Sequence, residues 1–168
     1  MPLQNTSLEG TLTIGSIAMQ NTFGAWGICG DETGQGGLVH LWTRFDVRGT
    51  DRLLPGVTGV IAYQRRMAPT RHDLRLLVSG DIDGVTGTPY TDPVEGLAEN
   101  LEYLRANVLA PVVSSTGTRA ATLTVPGMAN RTANIHVLGL MIQSYMIVFC
   151  QSVAVTTLQI SIPGGRFA

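Results

Sequence analysis

Two carboxylates followed by a glycine, Asp81-Ile82-Asp83-Gly84, form the most chemically suggestive group in this sequence. That spacing opens a calcium loop of the EF-hand kind, which then needs a third oxygen ligand, a glycine at its sixth position and a glutamate at its twelfth. Val85, Thr86 and Asp92 occupy those places, so the segment reads as a polar turn. Gly34-Gln35-Gly36-Gly37 resembles a phosphate-cradling turn. A dinucleotide fingerprint must lead from a strand into a helix, and Leu38 to Trp42 reads as a strand. His40, His72 and His136 lie far apart without metal-ligand spacing, each in or beside a predicted strand. No G-x-S-x-G elbow is present, and nothing local marks Cys29 or Cys150 as a nucleophile or as half of a C-x-x-C pair. A triad assembled in space around one histidine, as in a small hydrolase, stays open from sequence alone. Trp26 and Trp42 suit core or interface anchors, with a platform for a sugar or another small ligand as the alternative. The expectation is a protein with no catalytic residues, no metal and no cofactor.

Charge is more informative than any motif. All eleven basic residues are arginine, and there is no lysine. Chemistry that needs an ammonium group is excluded: a Walker A lysine, a pyridoxal Schiff base, a kinase lysine. With twelve acids, the net charge of −1 gives no basic excess for a general nucleic-acid binder. Charged residues make up 14% of the chain, against roughly 25% in typical soluble proteins, and a partner subunit is the simplest cover for such a surface.

The charges are also segregated. From Arg44 to Arg75 lie seven arginines and three acids, a net +4. From Asp81 to Glu102 lie six acids and no base, a net −6. These are either two solvated faces or the two sides of a head-to-tail contact between copies. Arginine tolerates interface burial better than lysine, which fits the second reading.

Most of the chain reads as strands with period-two alternation. Leu8, Leu12 and Ile14 share a face of one strand. From Arg71 to Ser79, His72, Leu74, Leu76 and Val78 point one way, and Arg71, Asp73 and Arg75 the other. Gly59 to Met67 is expected to pair with this strand across a turn at Pro69. Ala120 to Val125 and Asn130 to Leu138 flank a hairpin signal at Pro126-Gly127-Met128-Ala129. A final strand, Val153 to Ile162, stops at Pro163-Gly164-Gly165. Ile135 to Val155 is apolar for the length of a membrane span, but its polar interruptions and β-forming residues favour strands. One helix is expected, with Asp92 as N-cap, Pro93 at its first position and Glu95 at capping-box spacing. Its apolar stripe is Val94, Leu97, Ala98, Leu101, Leu104 and Val108, and Pro111 stops it. Phe23 to Gly37, with six glycines, Val47 to Thr58 and Ser79 to Thr91 are the expected loops. The sum is a single domain over 1–168, mainly β with one flanking α-helix. The opening residues carry no signal-peptide pattern, and the lone cysteines suit a reduced, cytosolic chain.

The order of these elements resembles a known family. Val47-Arg48-Gly49-Thr50-Asp51-Arg52-Leu53-Leu54-Pro55-Gly56-Val57-Thr58-Gly59 precedes an arginine pair, Arg65 and Arg66. A strand closing at Val78-Ser79-Gly80 follows, then the helix with Leu97, Leu101, Tyr103 and Leu104, a hairpin with Arg131, and Leu158 to Pro163. Over residues 44 to 163 this resembles the tail-tube-like proteins of long-tailed bacteriophages, especially the ring domain of distal tail proteins. The resemblance implies a tail-tube-like β-sandwich or barrel and a structural role as a minor tail protein in the virion tail, assembled in the host cytoplasm. It implies no enzyme activity, cofactor or metal. The implied partners are the chain itself in a homo-hexameric ring, the tail tube protein, tail tip or hub proteins and the tape measure protein. DNA would be non-specific cargo in the lumen, with no membrane contact. Distal tail, tail tube and terminator subunits share this fold, and a monomeric ligand-binding β-sandwich is the remaining alternative. A carbohydrate-binding second domain, frequent in distal tail proteins, has no room before Ala168. The expected subunit interface sets Arg48, Asp51, Arg52, Arg65 and Arg66 against Asp81, Asp83, Glu95, Glu99 and Glu102. The loop Phe23 to Gly37 is expected to meet a neighbouring ring.

Overall fold

The protein is described by a computed structural model at residues 10–30, 37–38, 41, 47–48, 51–53, 60–62, 66–110, 117–148 and 151–168. Between 47 and 67, and between 143 and 151, only the backbone is described. The described residues are mainly β, with a curled, half-barrel-like antiparallel sheet of seven strands, two separate two-stranded pairs, and one flanking α-helix over Pro93–Leu104. In chain order the strands are β1 (Thr11–Ile14), β2 (Ile17–Ala18), β3 (Trp26–Ile28), β4 (Val47–Arg48), β5 (Asp51–Leu53), β6 (Val60–Ala62), β7 (Arg66–Met67), β8 (Thr70–Ser79), β9 (Arg119–Thr124), β10 (Arg131–Val148) and β11 (Gln151–Ile162). The seven-stranded sheet runs β2-β1-β9-β10-β11-β8-β3.

The centre of that sheet follows directly from alternation. Along β8, Thr70, His72, Leu74, Leu76 and Val78 are buried while Arg71 and Asp73 are exposed. Along β11, Ala154, Thr156, Leu158, Ile160 and Ile162 are buried. The two strands pair from Thr70 opposite Ile162 to Ser79 opposite Val153 without a register shift. β10 has register shifts near Leu138 and Gln143, and such irregularities bend a strand and increase its twist. The apolar stretch 135–155 is therefore the β10–β11 hairpin, and no helix among the described residues is long and apolar enough to cross a membrane.

The helix α1 (Pro93–Leu104) packs on β8 and β11. Asp92 caps it, accepting a hydrogen bond from the Val94 N–H at 2.9 Å. One wider turn, Arg105–Leu109, closes with Ala110 N–H donating to the Arg105 carbonyl at 3.0 Å. The buried face is rotated from the expected stripe. Leu97, Leu104 and Val108 are buried, but so are Gly96 and Asn100, whereas Val94 is 45% exposed and Leu101 half-buried. The cause is a close crossing at Gly80. A Cβ there would strike the Pro93 carbonyl and Leu97, and a Cβ at Gly96 would strike the Gly80 carbonyl and the Tyr90 ring.

Three expectations change. Among the described residues of the 59–67 segment, β6 pairs with β5 and β7 with β4, while β8 is flanked by β11 and β3. β11 meets β8 over ten paired residues with matching alternation. The glycine-rich stretch 23–37 contributes β3, and the expected loop 47–58 contributes β4 and β5. Leu41, read as strand, is helical, so the case against a dinucleotide fingerprint rests on spacing, with Val39 where a third glycine is required.

Gly96→Ala tests the crossing, because propensity and packing oppose each other there. Alanine gains about 1 kcal/mol in a helix interior, whereas overpacking costs about 1–3 kcal/mol, and the struck atom is a backbone carbonyl that cannot swing away. A urea titration should show net destabilisation, and a gain in stability would contradict the close crossing.

Candidate assembly surface

Register fixes where the charges lie. β8 leaves the sheet at Ser79, and the chain enters the turn 81–92 and the first turns of α1. Asp81, Asp83, Asp92, Glu95 and Glu99 belong to this end, and no base lies between Asp81 and Glu102. At the other end, Thr70 stands opposite Ile162, with Arg71 beside it, and Ala68 and Pro69 join β8 to Arg66–Met67. Ten residues of strand separate the ends by roughly 30 Å at ~3.3 Å each. That is more than three Debye lengths at physiological salt, about 8 Å each, so the two ends do not neutralise one another within one molecule.

The acidic end is rigidly built. Asp83 accepts from the Val85 N–H and from the Thr86 hydroxyl, both at 2.7 Å. The Thr86 hydroxyl first, and the Val85 amide second, hold the Asp83 carboxyl below its ordinary range. Asn100, buried on α1, ties the turn to the fold, donating to the Ser79 and Ile82 carbonyls at 2.8 Å each and accepting from Gly84 N–H at 3.0 Å. From the far side, Asn21 donates to the Gly84 carbonyl at 2.8 Å. A Cβ at Gly84 would strike the Trp26 ring, and Gly87, at φ +75°, lies against Phe23. The Tyr90 hydroxyl donates to Glu99 at 2.7 Å. Burial, then the Glu99 acceptor and the surrounding carboxylates, push the Tyr90 phenol above its ordinary range.

The interface residues expected from sequence are distributed unevenly. Asp81, Asp83, Glu95 and Glu99 come together at this end. Glu102 lies a turn further along α1 and is exposed in an ion pair with Arg105, which holds its carboxyl below the ordinary range. Arg48 on β4 stands opposite Arg66 on β7, Asp51 and Arg52 are on β5, and Arg65 lies outside the described residues. What sequence reading missed is the apolar part of the acidic end, where Phe23 and Val85 are 42% and 53% exposed. Asn100, a polar residue beside the helix's apolar stripe, was the available signal.

The other singled-out residues fall elsewhere. Trp26 is core, 3% exposed, stacked on Tyr103 with centroids 5.7 Å apart, and its Nε1 donates to the Ala18 carbonyl at 2.9 Å. His72 is buried with Nε2 3.1 Å from the Thr70 hydroxyl, and His136 Nδ1 lies 3.3 Å from the Gly117 carbonyl. His40, Trp42 and Cys150 lie outside the described residues. Cys29 is exposed, and among the described residues no group of three or more His, Cys, Asp or Glu could hold a metal ion.

These residues define a helix-flanked, half-barrel-like antiparallel sheet with an acidic turn at one end of β8 and β11 and Arg71 at the other. A solved structure with a similar fold is the Dit protein (gp 19.1) of phage SPP1, described as a paradigm of the hub adsorption apparatus in phages infecting Gram-positive bacteria. The likeness has a TM-score of 0.52 at 11% identity and covers 92% of this chain and 50% of that one, so this chain spans about half its length. At that identity the fold is what the two share. No protein-family model and no curated protein matches the chain.

The Asp83 turn gives a pH prediction. A carboxyl whose native pKa is depressed contributes stability above its unfolded value, near 3.9, and loses it as pH falls through the native value. The Val85 and Thr86 amide resonances should hold steady down to that region and shift together below it. Asp83→Ala should abolish the coupled shift, whereas an unchanged acid transition in that variant would contradict the assignment.

Proposed function

We propose that this chain is a non-enzymatic structural subunit of a bacteriophage tail. It forms a homo-hexameric ring around the DNA channel, as a distal-tail adaptor between the tail tube and the proteins of the tail tip. What supports this reading is an acidic turn built at one end of β8 and β11, with an arginine-rich stretch of sequence leading into β8 at the other, on a fold shared with a phage hub protein. Two different complementary patches give a heterologous contact, which closes into a ring when the rotation between copies permits.

In this reading the basic side is Arg48, Asp51, Arg52, Arg65 and Arg66. The acidic side is Asp81, Asp83, Glu95, Glu99 and Glu102. Arg48 and Arg66 stand opposite each other in the β4–β7 register, and the next copy's carboxylates are their partners in this reading. Exposed ion pairs contribute only about 0–1 kcal/mol each. Charge therefore steers approach and sets register, while exposed apolar residues such as Phe23, Val85 and Val94 supply burial. The segment 23–37 meets the neighbouring ring along the tail.

Reversing Arg65 and Arg66 to Glu together should weaken ring closure and leave the circular-dichroism melt unchanged. Sedimentation at low and at raised salt reads the outcome. A reversed variant that assembles like the parent under both conditions would rule out pairing through these arginines.

A further inference from the structure

At the end of the sheet away from the acidic turn, an open cleft of about 620 Å³ lies between the start of β10 and the turn after β11. Ala133 and Pro163 give it an apolar lining, and Asn134, His136 and Arg166 a polar one. The walls are fixed. The Thr132 N–H donates to the Ala168 carbonyl at 2.8 Å, and the Ala168 N–H donates back at 3.0 Å. Phe167, next to Ala168, is 3% exposed. The turn closes with Gly165 N–H donating to the Ile162 carbonyl at 2.9 Å, and the Thr70 hydroxyl reaches the Gly165 carbonyl at 3.3 Å.

Arg166 supplies a cation to the lining of the cleft, and no Asp or Glu is among its lining residues. After Glu102 the sequence holds four arginines (Arg105, Arg119, Arg131, Arg166) and no Asp or Glu. Its chemistry suits a ligand with a carboxylate beside a small apolar group. The Asp83–Thr86 turn presents that pair at the opposite end, with the Asp83 carboxylate two residues from the exposed Val85 side chain. The Asp83 carboxylate offers about four acceptor positions, and its bonds within the turn leave room for another donor. Roughly 30 Å of strand separates turn and cleft, so no copy fills its own cleft.

We propose that this cleft receives the Asp83–Val85 turn of a second copy, with Val85 against Ala133 and Pro163 and the Asp83 carboxylate toward Arg166. The assignment rests on the self-assembly reading above and deepens it. The acidic side then divides its work, the turn entering the cleft while Glu95 and Glu99 face the arginine-rich segment. Because turn and cleft differ, the contact is heterologous, as ring closure requires.

A charge-exchange cycle tests this without disturbing the internal bonds of Asp83. Val85→Arg keeps the Val85 backbone N–H and places a cation on the turn, and Arg166→Glu places an anion in the cleft. Sedimentation equilibrium on the full chain should show each single variant associating at least tenfold more weakly than the parent. The double variant should recover most of that loss, with all three melting like the parent. Equal association by Arg166→Glu and parent would overturn the assignment, as would a double variant no stronger than the weaker single one. If Arg166→Glu is silent while the Arg65/Arg66 reversal weakens association, the cleft is not the receptor and the ring reading stands. A parent chain that stays single at every concentration removes both.

Discussion

The uninterrupted register between β8 and β11 is the constraint on which the rest of the structure depends. Side chains alternate with a period of two, so a one-residue slip would turn Leu74, Leu76 and Val78 outward and bring Arg75 inward. The same register gives α1 its platform and sets the arginine-bearing turn and the acidic turn at opposite ends of one pair of strands. The separation of the acidic turn from Arg71 is thus a consequence of strand pairing and not of any local motif. Separation beyond the screening length then makes each end available to another molecule.

The acidic end depends in turn on one buried joint. Asn100, 2% exposed, would be costly in an apolar setting if its amide were unpaired. Three backbone partners satisfy it, and in doing so fix the Gly84 turn to the end of β8. Gly80, Gly84 and Gly96 make the joint possible because their missing side chains admit a backbone carbonyl or a Trp26 ring. Carboxylates that would repel one another on a mobile loop are held in place by the fold, so the cost of gathering them is met in folding. That preorganisation is what an assembly contact gains most from.

Much of the fold was legible in sequence because it is written in period two and period three-to-four. The alternation of β8 and β11, the Pro126-Gly127 hairpin and the Asp92-Pro93 helix start each carry a local physical signature. What was not legible depends on contacts made elsewhere. β3 lies in a glycine-rich stretch whose residues give no alternation, and it becomes a strand because the β8 edge beside Leu76 to Val78 is open to it. The buried face of α1 could not be read from an apolar stripe, because Gly80 and Gly96 set the crossing. For the candidate surface, the acidic run was visible as a segment, but the exposed Phe23 and Val85 beside it were not. The cleft near Arg166 joins residues 133–136 to 162–168, and only the β10–β11 pairing brings them together.

The central claim is that the chain associates with itself into closed rings, with charge setting the register of the contact and exposed apolar residues supplying its burial. The most direct test is the light-scattering mass of the purified chain across concentration, with negative-stain images of the same sample. The account predicts closed rings with a central opening, at a mass several times 17.9 kDa. Particles of 17.9 kDa at every concentration, with no rings in the images, would contradict it.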